Sequence, residues 1–193
     1  MAFIGMRKVV AAPIATEPSG DMPTYSAGFV VGKAIVGNLT INRSDNPLFA
    51  DDAIAENDNG ITSMSLELGV DDIDEDTRVK LLGLVTEGEG TSQQYLDTDA
   101  SAPYVGTGYI RLRRRAGVTK YQALWYPKVQ FSETAENTST KSESIEWQTP
   151  TITGTVFGVD GPNNSKVFRI KKLFDTEAAA YAWLTDSSKA HIG

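Results

Sequence analysis

Alternation of side-chain character is the feature that most restricts the folds open to this chain. Across residues 120–131, Tyr121, Ala123, Trp125, Val129 and Phe131 fall on one set of positions and Lys120, Gln122, Lys128 and Gln130 on the other. Successive side chains of a β-strand point to opposite faces, so this pattern predicts a strand with one apolar and one polar side. Pro127 lacks a backbone donor and predicts a sheet edge or a bulge within that strand. Residues 61–68 repeat the pattern, with Met64, Leu66 and Leu68 against Ser63, Ser65 and Glu67. The turn signal Asn57-Asp58-Asn59-Gly60 predicts a hairpin joining residues 50–56 to that strand.

Ala116-Gly117 reads as a second hairpin turn, joining the 120–131 strand to one containing Tyr109, Ile110 and Leu112. The expected hairpin has an apolar inside and carries Arg111, Arg113 and Arg115 on its outside. Two further long β segments are expected. Residues 29–41 place Ile35, Leu39 and Ile41 on one face, and residues 142–157 place Ile145 and Trp147 in one phase and Ile152 and Val156 in the other. A bulge at Pro150 accounts for that switch. The expected core comprises Trp125, Val129, Phe131, Leu66, Leu68, Ile110 and Leu112.

Helix is scarce. Asp72 or Asp74 can cap a short helix through Leu82, with an Asp76 to Lys80 pair and Gly83 as its stop, and a second helix is expected from about 175 to 184. Polar loops are expected at 44–47 and 86–103. Residues 1–193 therefore predict a single, mainly β domain: an antiparallel β-sandwich or barrel with one or two short flanking helices. An extended N-terminal arm of about 1–28 and a C-terminal strand-helix appendage of about 166–190 complete the expectation.

Several chemistries find no support. The chain has no cysteine, which removes disulfides and thiolate sites, and its one histidine, His191, sits at a chain end where fraying is expected. Asp72, Asp74 and Asp76 occupy the first, third and fifth positions of a calcium loop, but Thr77 stands where that loop needs glycine and Gly83 where it needs glutamate. Gly106-Thr107-Gly108 lacks the third glycine of a dinucleotide fingerprint and leads into a strand. No carboxylate pair is singled out for acid-base work. The expectation is a protein that is not an enzyme, with no catalytic residue, cofactor or metal. Arg7-Lys8 followed by residues 9–15 faintly imitates an export signal, but the run is short and broken by Pro13, so it is read as a first strand. Charge-free stretches are too short to span a bilayer, and no membrane contact is expected.

Charge is sharply segregated along the chain. Residues 44–77 hold eleven carboxylates and no Lys or Arg, whereas residues 100–132 hold six bases and no acid. The candidate subunit-interface residues are accordingly Arg111, Arg113, Arg115 and Lys120 on the basic side and Asp51, Asp52, Glu56, Asp58, Asp71 and Asp72 on the acidic side. Three readings of the basic cluster stand: an interface with a neighbour's carboxylates, a solvated face, or a strip stacking single-stranded nucleic acid beside Tyr109 and Tyr121. A formal net charge of −7 weighs against the last.

Several blocks of the sequence bear a family resemblance. Residues 45–52 (Asp-Asn-Pro-Leu-Phe-Ala-Asp-Asp) with 56–59 (Glu-Asn-Asp-Asn), then 68–73 (Leu-Gly-Val-Asp-Asp-Ile) with 80–83 (Lys-Leu-Leu-Gly), resemble the major tail, or tail tube, protein family of long, non-contractile bacteriophage tails. The likeness continues through 106–113, 120–129 (Lys-Tyr-Gln-Ala-Leu-Trp-Tyr-Pro-Lys-Val) and 145–154. It closes with Phe174-Asp175-Thr176-Glu177 leading to Ala182-Trp183-Leu184, covering about 6–184 in order.

The resemblance implies a structural virion protein, made in the bacterial cytoplasm, that self-assembles into rings, usually of six, with a continuous β-lined channel. It implies that rings stack into a tube through which DNA passes at ejection without specific binding. The implied partners are copies of the chain and other tail proteins: tape measure, tail terminator and baseplate. Two alternatives come from other classes. A non-enzymatic β-sandwich module binding a baseplate, host surface or carbohydrate would group aromatics on loops. An enzyme on a β scaffold would place a poised base in a pocket.

Overall fold

Residues 2–50, 53–133 and 149–192 are described by the computed structural model, and strands dominate them. In chain order the elements are β1 (Ala2–Thr16), β2 (Thr24–Tyr25), β3 (Phe29–Gly32), β4 (Ala34–Arg43), β5 (Asn46–Ala50), β6 (Ala53–Asp58), β7 (Ile61–Val70), α1 (Glu75–Leu82), β8 (Val85–Glu87), β9 (Gln94–Leu96), β10 (Tyr104–Arg115), β11 (Val118–Ser132), β12 (Thr151–Val156), β13 (Val159–Asp160), β14 (Lys166–Val167), β15 (Ile170–Phe174) and α2 (Glu177–Leu184). A large antiparallel sheet runs in the order β2-β1-β10-β11-β12-β7-β4, with β15 also paired to β11 and β3 to β1. The fold is therefore the mainly β, sandwich-like architecture with short flanking helices that the alternation predicts.

The sheet brings its two halves together around one core. The Met6 sulfur packs over Gly37, where a Cβ would lie only 2.4 Å from it, so β1 and β4 approach face to face because position 37 has no side chain. Between the halves lie Val9, Ala11, Leu66, Leu68, Tyr109, Leu124, Tyr126, Val129, Phe131 and Ile152. At one end α1 contributes the buried Leu81. Its cap is the expected one: Asp74 accepts from the Thr77 N–H at 2.7 Å, and Gly83, at φ 79°, donates its N–H to the Val79 carbonyl. The Asp76 to Lys80 pair is not what these side chains make. Asp76 accepts from the Tyr95 hydroxyl at 3.4 Å and the Lys80 ammonium stands 5.1 Å over the Phe29 ring.

A second core lies on the other side of β10 and β11, where α2 packs. It contains Val10, Ala12, Ile110, Ala123, Trp125, Ala180, Leu184 and Ala190. Both faces of β11 are consequently buried, and the single apolar face expected for it is two half-faces joined by a bulge. Val105 opposes Val129 while Thr107 opposes Tyr126, so β11 carries an extra residue across Pro127 and its phase reverses there. Before the bulge Leu124 and Tyr126 face the first core; after it Val129 and Phe131 do. The C-terminal strand-helix is thus a wall of this second core. His191 does not belong to a frayed tail, since its carbonyl accepts the Gly28 N–H at 2.9 Å and Ala190 is buried.

Gly106 and Gly108 have a structural task. A Cβ on Gly106 would lie 2.4 Å from the Trp125 ring, and one on Gly108 would lie 2.5 Å from the Leu124 carbonyl oxygen and 2.8 Å from the same ring. Both leave room for Trp125 to lie against the strand, with Tyr25 edge-on at 5.3 Å. Gly108→Ala is expected to destabilise the fold by about 1–3 kcal/mol through overpacking, because backbone cannot yield as a side chain can. Thermal unfolding of that variant reads the effect directly.

Four further expectations are corrected. The N-terminal segment of about 1–28 is not an arm along residues 2–16, where β1 pairs with β10 over most of its length. The 86–103 loop contains a hairpin, β8 against β9. Ile35 is exposed, unlike Leu39, because Ala34 opposes Val70 while Val36 opposes Gly69, and the bulge between them turns Ile35 outward. Finally, Asn57-Asp58-Asn59-Gly60 does not join a hairpin of 50–56 with 61–68. β6 pairs with β5, Ala50 opposite Ala53, while β7 pairs with β4 and β12. β5 and β6 are the antiparallel neighbours here, and the 57–60 segment is an irregularity within a longer ribbon. Ile145 and Trp147 lie outside the described residues.

Buried tyrosines impose a dependence on alkaline pH. The Tyr25 hydroxyl donates to the Pro127 carbonyl at 2.8 Å, and burial pushes its pKa up from 10.0 to about 12. Burial, with Tyr126 beside it, pushes Tyr109 further in the same direction. Below the unfolded value both states hold neutral tyrosine and nothing is lost. As pH rises from about 10 towards 12 the unfolded chain ionises first, so Tyr25 alone should withdraw about 2–3 kcal/mol. Urea midpoints measured from pH 9 to 12 should fall across that window, less steeply in Tyr25→Phe.

Candidate assembly surface

Ala116 and Gly117 take φ values of 47° and 81°. A type I′ two-residue hairpin turn places both central residues at positive φ, which Gly117 adopts freely and Ala116 adopts at a steric cost, and it sets the register Arg115 opposite Val118, Arg113 opposite Lys120 and Arg111 opposite Gln122. Opposed residues share a face. Tyr109, in the first core, lies on this same face, so the arginines do not decorate the outside of the hairpin. They continue the inward face beyond the end of the core. Ile110 is on the opposite face in the second core, and Leu112, on that same face, is also buried.

The basic face is supported by neighbours distant in sequence. β15 pairs with β11, placing Leu173 opposite Gln122 and Lys171 opposite Leu124. Arg111 donates from Nε to Gln122 Oε1 at 2.9 Å, and its guanidinium lies 3.9 Å from the centre of the Phe3 ring; Arg113 lies 5.6 Å from the same ring. Arg113, Arg115, Val118, Lys120 and Leu173 enclose a slot of about 230 Å³. The cations crowd one another. Arg169, ahead of burial, and then Arg111 and Arg113 hold the Lys171 ammonium below its usual range; burial first, with Arg169 and Arg113 adding, lowers Arg111. Arg169 and Lys171 were not among the sequence candidates, and their membership depends on the β15 to β11 pairing.

The other bases of the 100–132 run are elsewhere. Arg114 is on the opposite face, and Lys128 pairs with Glu17 at 2.6 Å and stands 4.3 Å over Tyr104. Lys120 is ion-paired with Asp175.

The acidic run divides into two places. Asp45 is exposed just before β5, Glu56 is exposed on β6 and Asp58 lies on β6, opposite Asn46, while Asp51 and Asp52 lie outside the described residues. Asp71 and Asp72 belong to the far end of β7. There Asp71 accepts from the Lys33 N–H at 2.7 Å and pairs with its ammonium at 3.2 Å, contacts that lower its pKa. The expected grouping of Asp71 and Asp72 with Glu56 and Asp58 is therefore corrected: the β7 strand separates them.

The register defines two ribbons. β4 and β7 pair up to Arg43 opposite Ile61, Ser44 donates its N–H to the Gly60 carbonyl, and β5 and β6 continue from Asn46 opposite Asp58. This acidic ribbon and the basic β10–β11 ribbon are connected through the row Met64, Val156, Val129. From that row both run towards the same end of the sheet, and Ala53 is as far along the chain from Met64 as Val118 is from Val129. The sheet ends in two tips of similar reach and opposite charge.

Among the described residues, no group of three or more His, Asp or Glu side chains is placed to hold a metal, and no helix is long and apolar enough to cross a membrane. No protein-family model matches the chain, and no curated protein matches it at a significant level.

Proposed function

We propose that this chain is a structural subunit that assembles with copies of itself into rings and stacked tubes, as the conduit of a long, non-contractile phage tail. The observation that carries the reading is the pair of oppositely charged ribbon tips. A two-stranded ribbon such as β5–β6, hydrogen-bonded to no other strand among the described residues, is marginal alone in water and gains stability when a neighbour covers it. A surface that carries both an acidic and a basic tip complements itself heterologously, and heterologous contacts close into rings when the rotation permits. The resemblance of residues 6–184 to tail tube proteins supplies the tube and the virion as its place.

At the opposite end of the sheet, α1 ties to β11 through Arg78 and Glu133 at 2.6 Å, and the β8–β9 hairpin hangs from α1 through Tyr95. In the proposed tube this end meets the next ring. Replacing residues 88–93 with an Asn-Gly turn should leave rings that do not elongate, as counted by negative-stain microscopy.

Sedimentation velocity and negative-stain microscopy across a concentration series test the whole reading. Rings and tubes that grow with concentration are expected; a single subunit at every concentration would sink it. DNA should pass without being held: no binding to duplex is expected near 0.15 M salt, where nonspecific binders keep dissociation constants of about 10⁻⁴–10⁻⁶ M.

A further inference from the structure

Leu48 on β5 stands opposite Glu56 on β6, so the two share one face of the acidic ribbon. Leu48 is 59% exposed and Glu56 is exposed beside it. The slot on the basic ribbon is the inverse surface. Val118 and Leu173, 57% and 46% exposed, supply apolar wall, and Arg113, Arg115 and Lys120 supply cationic rim. We infer that Leu48 of one copy seats between Val118 and Leu173 of a second copy, with Glu56 against the arginine rim, and that this contact joins neighbours within a ring.

The inference rests on the assembly reading above and specifies which surfaces meet. Direction follows from the register. Both tips leave the same end of the sheet, so a neighbour related by rotation about an axis along the ribbons presents its acidic tip at the level of the basic one. Stacking head to tail would place the tips of one ring against the β8–β9 end of the next and leave the slot unmatched. Within one chain, both Leu48 and the slot remain exposed, so they do not serve each other.

The occupant is a protein surface in preference to a nucleic acid because apolar walls match a leucine, whereas phosphates are held by polar donors and give nothing to Val118 or Leu173. Crowded cations at Arg111, Arg113, Arg169 and Lys171 are relieved by an incoming carboxylate.

The absence of cysteine makes the test clean. Leu48→Cys chains are mixed with Val118→Cys chains under mild oxidation and compared with a Leu48→Cys and Val85→Cys mixture, Val85 being exposed on β8 at the other end. All three sites are exposed, so the fold should tolerate them. Rapid disulfide dimers only in the first mixture, and closed ladders from a chain carrying both Leu48→Cys and Val118→Cys, are expected. Glu56→Arg should slow the cross-link severalfold, and Arg115→Glu on the partner chain should restore it.

Tubes that form without a cross-link above the Val85→Cys level would overturn the inference and leave the assembly reading standing. Specific cross-linked dimers from a protein that never builds rings would sustain the contact and sink the tube. Loss of the cross-link on adding duplex DNA at about 0.15 M salt would assign the basic face to nucleic acid and overturn the inference.

Discussion

Trp125→Ala should lower the thermal midpoint by about 6–20 °C. Trp125 is almost wholly buried, lies against the backbone at Gly106 and Gly108, meets Tyr25 edge-on, and shares the second core with Leu184 of α2. Deleting an aromatic from such a site costs about 3–5 kcal/mol, of a total that is typically about 5–15, and each kcal/mol shifts the midpoint of a domain of this length by about 2–4 °C. The loss also frees the donor-acceptor chain from Trp125 Nε1 to the Tyr25 hydroxyl and on to the Pro127 carbonyl. α2 should loosen with it, because Trp125 is the largest fully buried side chain in the second core. Calorimetry combined with hydrogen exchange in α2 measures both effects; an unchanged midpoint would remove Trp125 from the core.

Arg115→Glu with Lys120→Glu should abolish assembly while leaving the subunit folded. Arg115 is exposed, and the Lys120 to Asp175 pair is exposed enough that its loss costs the monomer little. In the proposed ring both side chains belong to the cationic rim that meets Glu56 of the neighbour, so reversal exchanges attraction for repulsion. Even about 1 kcal/mol for each position would weaken every contact by about thirtyfold. A ring multiplies that loss over its contacts. Circular dichroism should match the parent protein, and sedimentation should show only subunits at concentrations where the parent assembles. Raising salt to about 1 M, which shortens screening to about 3 Å, should slow assembly of the parent and ease the repulsion in the variant, narrowing the difference between them. Normal assembly by the variant would make the basic face a solvated surface.

Much of the fold was legible because its causes are local. Alternation in residues 61–68 and 120–131 marks β7 and β11, Pro127 marks the bulge, Ala116-Gly117 marks the turn, and Asp74 and Gly83 mark the two ends of α1. Each needs only a residue and its chain neighbours within a few positions, and a sequence displays those directly. The segregation of acids from bases was equally plain in the sequence.

Long-range pairing decided the rest. Nothing near residues 57–60 says that a polar, turn-like segment continues a ribbon, because irregular strands and turns favour the same residues; the pairing of β4 with β7 makes that choice. Nothing near Arg111 says that its face continues a core, because that depends on the placement of Tyr109 and Leu124 against the opposite half of the sheet. Arg169 and Lys171 join the basic face only through the pairing of β15 with β11, while Asp71 and Asp72 leave the acidic one because β7 carries them to the far end. Local preference is written residue by residue, so the sequence by itself determined the long strands β7 and β11, the turn at Ala116-Gly117, the ends of α1 and the sign of each charge. Which faces were buried and which charges met was decided by tertiary structure, because burial and Coulomb energy depend on distances in space between residues far apart in the chain.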